Sequence, residues 1–138
     1  MLGLFKKKKQ ATTQQKILVV DDEPDLVSTV AYRLKFAHYE VVTAGNGQEA
    51  LAKAAEEEPD LILLDTNMPV MNGHEMLKRL RSDPDLKHIP VIMLTARAAP
   101  EDIAAASAYG IADYTTKPFD ITELIEKVRT ALNRDASS

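Results

Sequence analysis

Short, continuous apolar runs alternating with segments of helical period constrain this chain more than any other feature of its sequence. The runs are Ile17-Leu18-Val19-Val20, Val41-Val42, Leu61-Ile62-Leu63-Leu64 and Val91-Ile92-Met93-Leu94, with a weaker fifth near Ala112 to Thr115. Runs that are apolar throughout, rather than at every second residue, imply strands covered on both faces. Between the runs, Leu26, Val30 and Leu34 fall four apart, as do Leu124, Val128 and Leu132, so each set shares one helical face that can cover a sheet. Asn46 with Glu49, Asn72 with Glu75, and Asp120 with Glu123 place a capping side chain three residues before an acid. Pro24 and Pro100 suit first helical turns. The segment from Pro100 to Tyr109 is rich in Ala and has Ile103 as its only large aliphatic residue, which predicts a helix that packs lightly and can shift. Five strand-helix units in a single α/β domain account for 138 residues.

Charge and composition remove several classes of function. The net charge of −4 hides an asymmetry, because residues 1–15 hold Lys6, Lys7, Lys8 and Lys9 and no acid, so the rest of the chain carries −8. Nucleic-acid phosphate repels such a domain, and no interleaving of basic and aromatic residues suggests stacking on bases; no nucleic-acid partner is expected. The absence of Cys excludes disulfides and thiolate metal sites, and His38, His74 and His88 lack ligand spacing, which fits a cytoplasmic protein. Residues 1–15 are read as a flexible basic leader, 16–134 as the domain and 135–138 as a flexible end. The apolar stub Met1 to Phe5 is far too short to span a bilayer. With the lysines it would make a weak membrane anchor, but stable attachment takes two adequate signals, so the solvated leader is the preferred reading.

Parallel strands joined by helical crossovers bring their C-terminal ends to one edge, where a doubly wound sheet has its ligand crevice. Asp21 and Asp22 follow the first strand, Asp65 ends the third, Thr95 ends the fourth and Lys117 follows the fifth. Singly, these are a helix cap, a turn residue, a surface hydroxyl and a solvated charge. Jointly they put three carboxylates, a hydroxyl and an ammonium at four separate strand ends. Clustered carboxylates need a cation, and hard oxygen ligands point to Mg²⁺. Lys117 and Thr95 complete a clamp for a phosphoryl group.

From about Lys16 to Arg134 the chain resembles the receiver domains of bacterial response regulators. The resemblance rests on Leu18-Val19-Val20-Asp21-Asp22-Glu23-Pro24, on Asp65-Thr66-Asn67-Met68-Pro69 followed by Asn72-Gly73, on Met93-Leu94-Thr95-Ala96, and on Lys117-Pro118-Phe119. All four in this order make a specific pattern. The resemblance implies a flavodoxin-like, five-stranded parallel sheet of order 2-1-3-4-5 with five helices. It also implies that Asp65 accepts phosphate from a histidine kinase, and that Asp21, Asp22, Asp65 and the Asn67 backbone carbonyl hold Mg²⁺. Lys117 would contact the phosphate and Thr95 would reorient toward it, while Tyr114 changes its burial. A cis Lys117-Pro118 bond is implied as well. Two departures are visible: the stretch before the last strand reads Gly110-Ile111-Ala112-Asp113, and Thr115 stands where an aliphatic residue is commoner.

The expected function is that of a stand-alone response regulator in a two-component or phosphorelay pathway. Because the chain ends soon after the last helix, it is expected to act through partners. These are a sensor histidine kinase or histidine phosphotransfer protein upstream, and a target protein on the face made by the fourth helix, fifth strand and fifth helix. It is not expected to be an enzyme beyond catalysing its own phosphorylation and dephosphorylation. A phosphatase of the haloacid dehalogenase type would need a second Asp two positions after Asp65, where Asn67 stands. A scaffold that no longer takes phosphate fits poorly with an intact acceptor, acidic pair, Thr and Lys.

Overall fold

The computed structural model describes the backbone of residues 14–96 and 100–137, and the side chains of residues 14–96 and 103–133. The apolar runs form β1 (Lys16–Val20), β2 (Glu40–Ala44), β3 (Leu61–Asp65) and β4 (Val91–Thr95), and the weaker run forms β5 (Asp113–Thr116). The helices are α1 (Pro24–Phe36), α2 (Gly47–Glu57), α3 (Gly73–Ser82), α4 (Pro100–Ser107) and α5 (Ile121–Ser137). All paired strands are parallel, in the order β2-β1-β3-β4-β5. The doubly wound sheet with five helices is the one the sequence predicts.

The caps form where the sequence places them. Asn46 Oδ1 accepts the Glu49 N–H at 2.8 Å, and Asn72 Oδ1 accepts that of Glu75 at 2.9 Å. Asp120 Oδ1 accepts the Thr122 and Glu123 N–H groups at 2.8 and 3.2 Å. Each bond satisfies a donor that the first helical turn leaves without a partner.

Alternate strand residues feed two cores. Leu18, Val20, Ile62, Leu64, Val91 and Met93 pack with α2, α3 and Ala106 of α4. Ile17, Val19, Leu61, Leu63, Ile92 and Leu94 pack with Val30 and Leu34 of α1 and with Leu124, Val128 and Leu132 of α5. The three central strands are therefore buried on both faces, as their unbroken apolar runs require. At the sheet edge, Thr115 is also buried despite its hydroxyl. Helix α4 contributes little: of its described side chains Ala106 is buried, Ile103 is half-buried and the others are exposed.

Two boundaries differ from the sequence reading. Strand β5 starts one residue later than expected, and α5 continues to Ser137, so residues 135–137 extend a helix instead of forming a tail. The basic run Lys6 to Lys9 lies outside the described residues. No helix among the described residues is long and apolar enough to cross a membrane.

Candidate functional site

The parallel winding brings the predicted residues to one edge. Asp21 and Asp22 follow β1, Asp65 closes β3, Thr95 closes β4, and Lys117 follows β5 by one residue. One carboxylate oxygen from each of Asp21, Asp22 and Asp65 lies within 4.8 Å of the others. Asp21 and Asp65 are 2 % and 3 % exposed, whereas Asp22 faces solvent. Lys117 Nζ stands 2.7 Å from Asp21 Oδ2 and 3.2 Å from Asp65 Oδ1, so one ammonium bridges two buried carboxylates. Its bond to Pro118 is cis.

Local sequence fixes this arrangement. Asp21 Oδ1 accepts the Glu23 N–H at 3.0 Å, and Asp65 Oδ1 accepts the Asn67 N–H at 3.3 Å, which orients both carboxylates against their own backbone. Behind Asp65 the chain turns so tightly that a Cβ on Gly73 would sit 2.1 Å from the Asp65 carbonyl oxygen. Only glycine lets α3 begin that close to the acceptor strand. In the same loop Val70 has φ of 69°, a left-handed conformation that costs a β-branched residue energy and is held by the pinned ends of the loop.

Electrostatics set the charge states. Burial raises the Asp65 carboxyl to about 6, the neighbouring Asp21 charge adds to the rise, and Lys117 and the Asn67 N–H oppose it. Burial lowers Lys117, but the bond and charge of Asp21, the charge of Asp65 and the bond to Glu23 outweigh it, so its pKa is raised. At neutral pH the site therefore holds an ionised Asp65 beside a firmly charged Lys117. Glu23 is a partner that the sequence reading leaves without a role, and its Oε1 lies 3.2 Å from Lys117 Nζ. Its position directly after the acidic pair is the signal that marks it.

These residues fit a hard divalent cation. The negative charges outnumber the single ammonium, and the buried Asp21 Oδ2 is met by the Lys117 ammonium at 2.7 Å and by no other hydrogen-bond donor among the described residues. Oxygen donors of this kind suit Mg²⁺.

Thr95 and Tyr114 meet at the adjoining side of the edge. Tyr114 pairs in register with Met93, and the Lys117 N–H donates to the Thr95 carbonyl at 2.7 Å. A small cavity runs between them, lined by Thr66, His74, Thr95, Ile103, Ala106 and Tyr114 among others. Thr95 is buried, while Tyr114 is 36 % exposed. Cavity size alone does not find the site, since an opening of about 610 Å³ lies elsewhere, lined by residues including Glu58, Asp60, Asp83 and His88.

Fold and site together define a class: a doubly wound parallel module whose strand ends gather an acidic cluster, a lysine and a hydroxyl. Residues 17–129 match the family model of the response regulator receiver domain. The chain belongs to this family. Relatives include a probable transcriptional regulatory protein, TcrX, of Mycobacterium tuberculosis, 43 % identical over 86 % of this chain and 50 % of its own length. Another is the alkaline phosphatase synthesis transcriptional regulatory protein PhoP of Bacillus subtilis, 42 % identical over 87 % of this chain and 49 % of its own length. The chain thus spans about half the length of these curated relatives. Among solved structures, the chemotaxis protein CheY4 of Vibrio cholerae superposes with a TM-score of 0.82 at 38 % identity, covering 86 % of this chain and 99 % of that one. A CheY-like receiver domain protein of Methanospirillum hungatei gives a TM-score of 0.85 at 30 % identity, covering 91 % of this chain and 98 % of that one.

Proposed function

We propose that the domain accepts a phosphoryl group on Asp65 from a histidine kinase or histidine phosphotransfer protein, and that phosphorylation changes which partner it binds. The observation that carries this is Lys117 bridging the buried carboxylates of Asp21 and Asp65 beside Asp22. In the transfer an Asp65 oxygen attacks phosphorus, the bond from phosphorus to the donor nitrogen breaks, and an acyl phosphate forms. Asp21, Asp22, Asp65 and the Asn67 backbone carbonyl would hold Mg²⁺, which when bound neutralises charge on the transferring phosphoryl oxygens. Lys117 exchanges its carboxylate contact for a phosphoryl oxygen. The Thr95 hydroxyl donates to another.

Catalysis is confined to the gain and loss of this one phosphoryl group. A phosphatase of the haloacid dehalogenase type would need an acid where Asn67 stands. Readout falls to the face formed by α4, β5 and α5, through a protein target. The transcriptional roles in the relatives' names belong to proteins about twice as long, and the acidic surface of this domain favours protein over DNA. A cytoplasmic location fits a partner that carries phosphohistidine.

Fluoroberyllate, a phosphoryl mimic, tests this reading. With Mg²⁺ it should shift the amide signals of Asp65, Asn67, Thr95 and Lys117, and Asp65→Asn should abolish the shifts. Equal shifts in the variant would remove Asp65 from the acceptor role.

A further inference from the structure

We infer that Lys127 is an outer latch on Tyr114, holding the ring on the solvent side and so opposing the phosphorylated state. The inference rests on the proposed phosphorylation of Asp65, with the change in Tyr114 burial that the receiver resemblance implies, and adds a residue to that switch.

Lys127 lies on α5, and its ammonium is fixed from three directions. Nζ donates to the Tyr114 carbonyl at 2.7 Å, lies 4.0 Å from Asp113 Oδ1, and stands over the Tyr114 ring at 5.8 Å from its centroid. The carbonyl and the carboxylate belong to β5, so the strand itself holds the cation in place over one of its own side chains. That distance is within the range of a cation–π attraction. On its other side the ring borders the small cavity bounded by Thr95, Ile103, Ala106 and Ile111.

The ring would have two places to be. Outside, it lies under an ammonium; inside, the cavity is only about 10 Å³, so the ring enters when the Thr95 side chain moves toward a phosphoryl group on Asp65 and vacates space beside it. A backbone carbonyl stays with its strand in either arrangement, so the bond to the Tyr114 carbonyl keeps Lys127 where it is and does not choose between them. The contact with the ring does choose, because the ring loses it on moving inward. A group that favours one of two states displaces the equilibrium by its differential attraction. At an exposed site this attraction corresponds to a factor of about two to five.

The test is the affinity of fluoroberyllate with Mg²⁺, followed by amide NMR. Lys127→Met should bind the mimic about two- to fivefold more tightly than the parent, because the outward ring is no longer favoured. Lys127→Arg should bind like the parent, since a guanidinium also sits over an aromatic face. On a Tyr114→Leu background, Lys127→Met should give no gain. The sign is informative, because removing a positive charge for its long-range field alone would weaken the binding of an anion. Weaker or unchanged binding by Lys127→Met, or the same gain without Tyr114, overturns the latch. A parent that binds no mimic would instead overturn the phosphoacceptor reading. The latch would then be judged without the mimic, from NOEs between the Tyr114 ring and the methyls of Ala106 and Ile111. These should strengthen in Lys127→Met, and unchanged intensities would refute it.

Discussion

Helix α3 sends Met76, Leu77 and Leu80 into the core, whereas α4, on the same side of the sheet, sends Ala106 alone among its described side chains. What secures the C-terminal end of α4 is polar. Arg81, near the end of α3, donates to the carbonyls of Tyr109, Ile89, Lys87 and Gly110 at 2.7, 2.9, 3.1 and 3.2 Å. The guanidinium thus ties the turn before β5 to the loop before β4. Rigid apolar packing supports the strand that carries Asp65, and a light helix tethered at its end flanks Tyr114. On the proposed function, chemistry that needs fixed geometry and readout that needs two arrangements would be separated within one sheet.

The largest expected contrast between these regions is in stability. Leu77→Ala should cost about 2–5 kcal/mol in urea unfolding, because it leaves a cavity in a closed core. Ala105→Gly, exposed on α4, should cost about 1 kcal/mol at most, the helix-propensity difference alone. Comparable losses would show that α4 is as firmly integrated as α3.

The next effect is electrostatic and belongs to the acceptor side. The Asp65 carboxyl is raised from 3.8 to about 6 in the fold, so the folded state binds its proton more tightly than the unfolded state does. Without Mg²⁺, ionised Asp65 therefore destabilises the fold; the cost is absent below about pH 4, grows through the interval and is complete above about pH 6. Its full size is on the order of 3 kcal/mol. The stability of Asp65→Asn relative to the parent should rise by that order between pH 4 and pH 7, and a constant difference would contradict it.

Mg²⁺ should offset the same destabilisation. Parent stability should rise by about 2.7 kcal/mol at one hundred times Kd, while Asp22→Ala should respond less and be more stable without the ion. An unchanged melting temperature of the parent across a millimolar titration would argue against the metal site.

The smallest energetic effect is expected at Thr95. Thr95→Ala should leave Asp65 phosphorylatable but reduce the shift changes around Tyr114 that the mimic causes, because the hydroxyl linking the two is gone. The same changes in variant and parent would break the proposed coupling.

The sequence made the acceptor side more legible than the readout side, and the reason is physical. Asp21, Asp22, Asp65 and Thr95 sit at ends of strands whose apolar runs are unmistakable, Lys117 follows a weaker fifth run, and parallel topology then assembles them. Asn46, Asn72 and Asp120 act over three residues, so their caps are local and readable. Glu23, Arg81 and Lys127 act across the fold. Glu23 meets Lys117 ninety-four positions away, Arg81 reaches carbonyls that no side-chain pattern announces, and Lys127 is one of several charges on an amphipathic helix. The left-handed Val70 is likewise set by the loop around it and not by its own preference.

The account stands on Asp65 as the acceptor, and mass spectrometry tests this most directly. After incubation with Mg²⁺ and a small acyl phosphate donor, the parent should gain the mass of one phosphoryl group, borne by the peptide containing Asp65. Asp65→Asn, folded by circular dichroism, should gain none. A parent that stays unmodified, or a variant modified to the same extent, would contradict the account.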